Sequence, residues 1–169
     1  MTCLCFSDSH GVTRYIKEAL DRHRDAEAVF FLGDGLSDIE PFVNADIGKR
    51  AWFFVRGNCD FYGSVNGIEA RKLETLTLEG QRIAFTHGDL YGVKYGFDGV
   101  VRLAENSSAD IVLFGHTHFA TEKYVPLLLS DRGVNLFNPG TVGGIGAEPT
   151  YGVLTLSPKG ALFSIMNFK

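Results

Sequence analysis

The sequence predicts an α/β chain built from two packed β-sheets flanked by helices. Three observations predict it. In the first half, short apolar runs alternate with amphipathic helical stretches, which implies parallel strands joined by helices. The second half is richer in strands paired through tight turns. Twenty glycines fit so many turns.

Residues 3–6 read as a buried strand. Val12, Tyr15/Ile16 and Ala19/Leu20 then recur at helical spacing, with Arg14, Lys17, Glu18 and Asp21 on the opposite face. Residues 28–32 (Ala-Val-Phe-Phe-Leu) form a second buried run. Ser37 followed by Glu40 is a capping-box pattern opening a short helix, and Pro41 is tolerated in its first turn. Residues 51–55 (Ala-Trp-Phe-Phe-Val) are a third strand. Residues 75–78 alternate, Glu79-Gly80 turns, and residues 82–85 return as a hairpin. A helix is expected around 100–105, then strands at 111–114, near Tyr124 and at 134–137. A last hairpin pairs 151–156 with 162–168 across Ser157-Pro158-Lys159-Gly160.

A chain of 169 residues suits one domain, here 1–169, with one substantial core. The apolar fraction of 45% and charged fraction of 21% are those of an ordinary soluble globular protein. The net charge of −4 and the absence of a Lys/Arg run argue against nucleic-acid binding, sequence-specific or otherwise. A small anionic substrate remains compatible, because bound cations override the global charge locally. No basic region followed by a long apolar stretch precedes the first strand, and no apolar run reaches membrane-spanning length. Cys3 and Cys5 face one side of a strand as small core residues, and an odd total of three cysteines is no disulfide framework. A cytoplasmic protein without membrane contact is therefore expected.

Five apolar runs each end in residues that can bind metal. Residues 4–6 lead to Asp8 and His10, 30–32 to Asp34, 53–55 to Asn58, 83–85 to His87, and 111–114 to His116 and His118. Ligands of open sheets bind beyond the carboxyl ends of strands, so strands lying side by side would bring these ends together. Glycines 33, 57, 88 and 115 permit sharp turns there. Imidazole mixed with carboxylate suits Mn, Fe, Zn, Co or Ni better than Mg or Ca. Seven donors exceed one tetrahedral ion but suit two, with Asp34 as the bridge. His23, the remaining histidine, sits near a helix end among charges and reads as solvated.

These residues resemble the calcineurin-like metallophosphoesterases, whose motifs run Asp-x-His, Gly-Asp, Gly-Asn-His-Asp/Glu, a middle histidine and Gly-His-x-His. The matches are Asp8-Ser9-His10, Gly33-Asp34, Gly57-Asn58-Cys59-Asp60, His87-Gly88 and Gly115-His116-Thr117-His118, in family order. Asn138-Pro139-Gly140 resembles a turn of the small members, and the chain is most similar to their single-domain phosphodiesterase branch, the YfcE type. The resemblance implies a four-layer αββα sandwich and two divalent transition-metal ions, manganese first, with nickel, cobalt, iron and zinc as alternatives. It implies that Asp8, His10, Asp34 and His118 hold one ion, and Asp34, Asn58, His87 and His116 the other. It further implies hydrolysis of a small phosphodiester by a hydroxide bridging the ions, with Asn58, Cys59 and His87 as catalytic residues. A homodimer or homotetramer is compatible with it.

Many members carry histidine where this chain has Cys59, and a thiol supplies no positive charge. The cysteine either takes part in catalysis or packs the turn, with Asp60 capping that turn. Tyr91, Tyr95 and Phe97, set between glycines after His87, are candidates to flex over the site and stack a nucleobase or aryl group, and Phe61-Tyr62 follows the Asn58 loop. Three alternative functions stand beside phosphodiester hydrolysis: a phosphomonoesterase, a nuclease, against which the acidic total and small size count, and a catalytically weak metal-binding scaffold like the retromer subunit that shares this fold.

Overall fold

A computed structural model describes residues 1–127 and 131–168. Its first half lays down β1 (Thr2–Phe6), α1 (Arg14–Arg22), β2 (Ala28–Phe31), α2 (Leu36–Ala45) and β3 (Ala51–Phe54). A small hairpin follows, β4 (Ser64–Val65) and β5 (Ile68–Glu69), which the sequence did not announce. Then come β6 (Leu73–Leu78), β7 (Gln81–Thr86), a 3-10 turn (Asp89–Tyr91), α3 (Asp98–Ser107), β8 (Ile111–Leu113), β9 (Thr121–Pro126), β10 (Gly133–Asn138), β11 (Thr150–Ser157) and β12 (Gly160–Asn167).

Two five-stranded mixed sheets result. The first runs β12-β11-β1-β2-β3, with β1, β2 and β3 parallel. The second runs β6-β7-β8-β10-β9, with β7, β8 and β10 parallel. The β6–β7 hairpin turns at Glu79 (φ 50°) and Gly80 (φ 77°), both left-handed, as a two-residue hairpin loop requires.

Strand periodicity sorts the side chains into layers. Leu4, Phe6, Val29 and Phe31 project from one face of the first sheet and meet Ile16, Ala19 and Leu20 of α1 and Leu36 and Ile39 of α2. Cys3, Cys5, Ala28 and Phe30 project from the other face against Ile83, Phe85, Ile111 and Leu113 of the second sheet. The far face of that sheet, with Ala84, Val112 and Leu136, packs on Val100, Leu103 and Ala104 of α3. The fold is therefore the four-layer αββα sandwich, with Cys3 and Cys5 in the inter-sheet core.

Two local expectations are corrected. Helix α2 is not opened by a Ser37–Glu40 capping box. Its N-cap is Gly35, without a side-chain cap. Asp60 takes over that role from outside, its Oδ1 accepting the N–H groups of Gly35 and Leu36 at 2.8 Å each. Glu40 turns away to accept from the Asn66 N–H. His23 is not simply solvated either. Its Nε2 lies 3.0 Å from the hydroxyl of the fully buried Tyr151, which needs a polar partner there.

Candidate metal centre

The five predicted strand ends do converge, though not within one sheet. β1, β2 and β3 deliver Asp8, His10, Asp34 and Asn58 from the first sheet, and β7 and β8 deliver His87, His116 and His118 from the second. The site lies where the carboxyl ends of the two packed sheets meet. Asp8, His10 and His118 offer ligand atoms within 4.8 Å of one another, as do Asp34, His87 and His116. A third group of the same tightness joins His10, Asp34 and Cys59. Asp34 Oδ2 lies 3.3 Å from His87 Nε2 and 4.0 Å from His10 Nε2, so this oxygen faces both sides of the site.

The spacing within each group is that of ligands around a common cation. For bonds of about 2.1 Å, neighbouring ligands on one octahedral or tetrahedral ion stand roughly 3.0–3.4 Å apart. His10 Nε2 and His118 Nε2 are 3.3 Å apart, His87 Nε2 and His116 Nδ1 3.1 Å, and His87 Nε2 and Asn58 Oδ1 3.1 Å. Asp8 Oδ1 is fully buried and receives no hydrogen bond. A buried carboxylate oxygen without a donor is costly, and a cation at its side compensates it. The donor set fits divalent transition metals on these observations.

Backbone strain marks the same residues. Of the eight non-glycine residues with positive φ among those described, five are donors: Asp8 (57°), His10 (45°), Asp34 (61°), His116 (68°) and His118 (63°). Such conformations cost energy and persist where surrounding contacts enforce them. Glycine permits the close approach at two points. A Cβ on Gly57 would lie 2.0 Å from Asp34 Oδ1, and one on Gly115 1.9 Å from Ser7 Oγ and 2.9 Å from Asp8 Oδ2.

Hydrogen bonds orient the ligands. His87 Nδ1 donates to the Leu32 carbonyl at 2.8 Å and His118 Nδ1 to the Ile145 carbonyl at 2.6 Å, so both present Nε2 inward. Asp34 Oδ1 accepts from the Cys59 N–H at 2.7 Å. Burial acts to raise the Asp34 carboxyl, but His87 and Cys59 outweigh it and hold it well below the usual carboxylate range. Burial likewise acts to lower His87, yet Asp34 and Asp8 raise it above the ordinary imidazole value. The Asp8 carboxylate raises His118, whereas burial and His87 lower His116. Burial and the Asp34 carboxylate push the Cys59 thiol up to about 11, so it is neutral at pH 7.

Four supporting groups have roles that the sequence reading did not give. Asp38 Oδ2 accepts from Ser9 Oγ (2.6 Å) and the Gly11 N–H (2.7 Å), pinning the Asp8–His10 loop to α2. Asp60 does more than cap its own turn: besides Gly35 and Leu36, its Oδ2 accepts the N–H groups of Asp34 and Gly57. Lys72 donates to Asp89 and to the Gly57 carbonyl, tying the His87 loop to the Asn58 loop. Asn138 donates to the Gly115 carbonyl and Thr117 Oγ1, which gives the Asn138-Pro139-Gly140 turn a place in the site. Only Asp60 and Asn138 lay in motifs that could have flagged them.

The aromatic loop after His87 divides. Phe97 packs on Phe114 with ring centroids 5.8 Å apart, and Tyr91 packs beside it. Tyr91 and Tyr95 line a small cleft that contains none of the seven donors. The donor cleft instead holds Phe61 and Tyr62 beside His10, Asp34 and Cys59.

Comparisons with known proteins identify the family. The model of the calcineurin-like phosphoesterase superfamily domain matches residues 1–159. Probable metallophosphoesterase YsnB of Bacillus subtilis (strain 168) is 33% identical over 159 residues, covering 92% of this chain and 85% of that protein. A conserved protein of Streptococcus pneumoniae TIGR4, described as a predicted phosphoesterase, superposes with a TM-score of 0.76 at 25% identity over 98% of this chain and 88% of that one. Vacuolar protein sorting 29 of Cryptosporidium parvum gives 0.75 at 17% identity over 99% and 91%, a likeness of fold alone. With a family match along nearly its whole length and a relative this similar, the chain belongs to the calcineurin-like phosphoesterase superfamily.

Proposed function

We propose that the chain, as a single domain over 1–169, is a dinuclear metal-dependent phosphodiesterase acting on small substrates. The observation that carries this reading is the ligand spacing: two sets of donors at 3.1–3.3 Å, with Asp34 facing both. Asp8, His10, Asp34 and His118 would hold one divalent ion, and Asp34, Asn58, His87 and His116 the second, with manganese preferred and nickel, cobalt, iron or zinc as alternatives. When bound, the ions supply Lewis acidity and make water nucleophilic near neutral pH.

The chain's own groups orient and tune that chemistry. His87 and His118, each tied through Nδ1 to a carbonyl, keep one tautomer and one ring orientation. The Cys59 N–H steers Asp34. The Cys59 thiol, neutral and on the open side of the site, adds no charge toward a substrate oxygen. A phosphodiester monoanion therefore suits this site better than a monoester dianion, whose extra charge would lack a partner in a partly desolvated cleft.

A scaffold role like that of Vps29 is the second reading, favoured by the shared fold. The complete set of oriented donors argues for catalysis instead. The deciding experiment strips the protein of metal, adds back Mn, Ni, Co, Zn and Mg separately, and follows hydrolysis of mono- and diesters in wild type and Asp34→Asn. The expected outcome is diester hydrolysis with Mn that disappears, together with most bound metal, in the variant. Wild-type protein that loads two ions yet hydrolyses no ester would favour the scaffold.

A further inference from the structure

The cleft at the donors has a volume of about 370 Å³ and an uneven lining. Its lining brings His10, Asp34 and Cys59 together with Phe61 and Tyr62. Phe61 is 97% exposed and Tyr62 87%. Large aromatic rings left this open are unfavourable in water unless something covers them. The fold does not leave them loose. Directly before them, the Asp60 carboxylate holds four backbone N–H groups at 2.8 Å. Directly after them, the Gly63 carbonyl accepts the Ala70 N–H at 2.7 Å, and Gly63 lies so close to Arg56 that a Cβ there would meet its Cδ at 2.8 Å. The two rings are thus presented by a two-residue span clamped at both ends.

In the same cleft Asp38 Oδ2 accepts from Ser9 Oγ and the Gly11 N–H, and both oxygens of Asp60 accept backbone N–H groups of neighbouring loops. Phe61 and Tyr62 therefore add exposed planar surface to the cleft beside the donors. Every aryl ring and nucleobase has a π-face that such surface can cover, whereas an alkyl group gains less from it.

We propose that Phe61 and Tyr62 form the substrate wall that receives a planar aromatic ester group, an aryl ring or a nucleobase, beside the phosphoryl site. This inference rests on the phosphoesterase reading and adds the class of substrate. It also moves the aromatic contact away from the loop at 91–97.

The test uses manganese-loaded full-length protein and two non-hydrolysable monoanions that differ by one ring, dimethylphosphinate and methyl(phenyl)phosphinate, with affinity read by calorimetry. Wild type should bind the phenyl compound roughly tenfold more tightly, the size expected for one stacked ring. Phe61→Ala/Tyr62→Ala should abolish that preference while leaving dimethylphosphinate affinity and metal content unchanged. The milder Phe61→Leu and Tyr62→Leu, with unaltered Tm, should each reduce it at least twofold. A phenyl preference that is absent in wild type, or that survives intact in the double variant, overturns the wall. Catalysis is not the readout, so a protein that hydrolyses no diester but keeps the preference would sink the phosphodiesterase reading and spare the wall. Failure of both phosphinates to bind would overturn both.

Discussion

Asp8 Oδ1 lies 3.2 Å from His118 Nε2, yet this fully buried oxygen receives no hydrogen bond. Both residues also have left-handed backbone, with φ of 57° and 63°. The pair belongs to strand ends in different sheets and is pressed together in a form that suits a cation rather than the empty protein. Asp8→Asn should therefore separate stability from function. Relief of a buried acceptor that lacks a donor amounts to about 1 kcal/mol, which corresponds to a Tm roughly 2–4 °C higher for metal-free protein of this size at pH 8. Bound metal should meanwhile fall to half or less by elemental analysis. A lower Tm for the metal-free variant would contradict this account.

Metal loading should release protons. His87 and His118 are held above the ordinary imidazole value of 6.5, mainly by Asp34 and Asp8 acting against burial. An imidazole must lose its proton to ligate through the inward Nε2. A raised pKa keeps that proton to higher pH, so apparent metal affinity should climb as pH rises from 6.5 through the raised values and level off above them. Calorimetric titration of manganese at pH 7 in PIPES and in Tris should give heats that differ by the buffers' ionisation enthalpies. Equal heats in the two buffers would mean the ligands were already deprotonated.

Asp60 is predicted to be a stability residue and a metal-affinity residue together. Its two oxygens hold four N–H groups drawn from the Asp34 loop, the first turn of α2 and the Gly57 turn. Asp60→Asn replaces one acceptor with a donor that faces N–H groups. The expected cost is about 3 kcal/mol, visible as a lower urea midpoint. Metal affinity should drop by at least tenfold, the usual penalty for disturbing groups that orient ligands. A variant with normal metal affinity and only reduced stability would confine Asp60 to capping α2.

Cys59→His should change substrate preference more than overall rate. The thiol is neutral at pH 7, being pushed up to about 11 by burial and Asp34. An imidazole in its place can carry the positive charge that a monoester dianion lacks a partner for. The kcat/KM for an aryl monoester should rise relative to that for the matching diester by roughly tenfold, the effect of about 1.4 kcal/mol. If wild type already prefers the monoester at neutral pH with the same metal, the charge argument is wrong.

Much of the site was legible in the sequence because its signal is local. Each donor follows an apolar run by two to four residues, and an apolar run bounded by glycine and a polar residue reads as a strand end whatever its neighbours are. The Cys3/Cys5 alternation likewise placed both thiols on one face, and the inter-sheet core contains both. The sequence could not reveal that the ends belong to two sheets rather than one, because strand order depends on long-range pairing that no short window encodes.

The supporting groups were hidden for the same reason. Asp38 and Lys72 are ordinary surface-type residues in any local window, and only the approach of distant loops makes them partners of Ser9, Gly11, Gly57 and Asp89. The capping box at Ser37 and Glu40 obeyed a sound local rule and lost to Asp60, whose charged carboxylate reaches the helix start from another loop. The aromatics show the division most plainly. By composition, Phe97 and Phe61 are both loop aromatics with glycines nearby; in the fold, Phe97 settles on Phe114 and Phe61 stands open beside the donors. Sequence alone singled out which residues can bind metal at strand ends, since ligand type and strand-end position are properties of short segments. Only the tertiary structure decided which neighbours hold them and which rings face the cleft, because burial and partner choice are set by contacts between segments far apart in the chain.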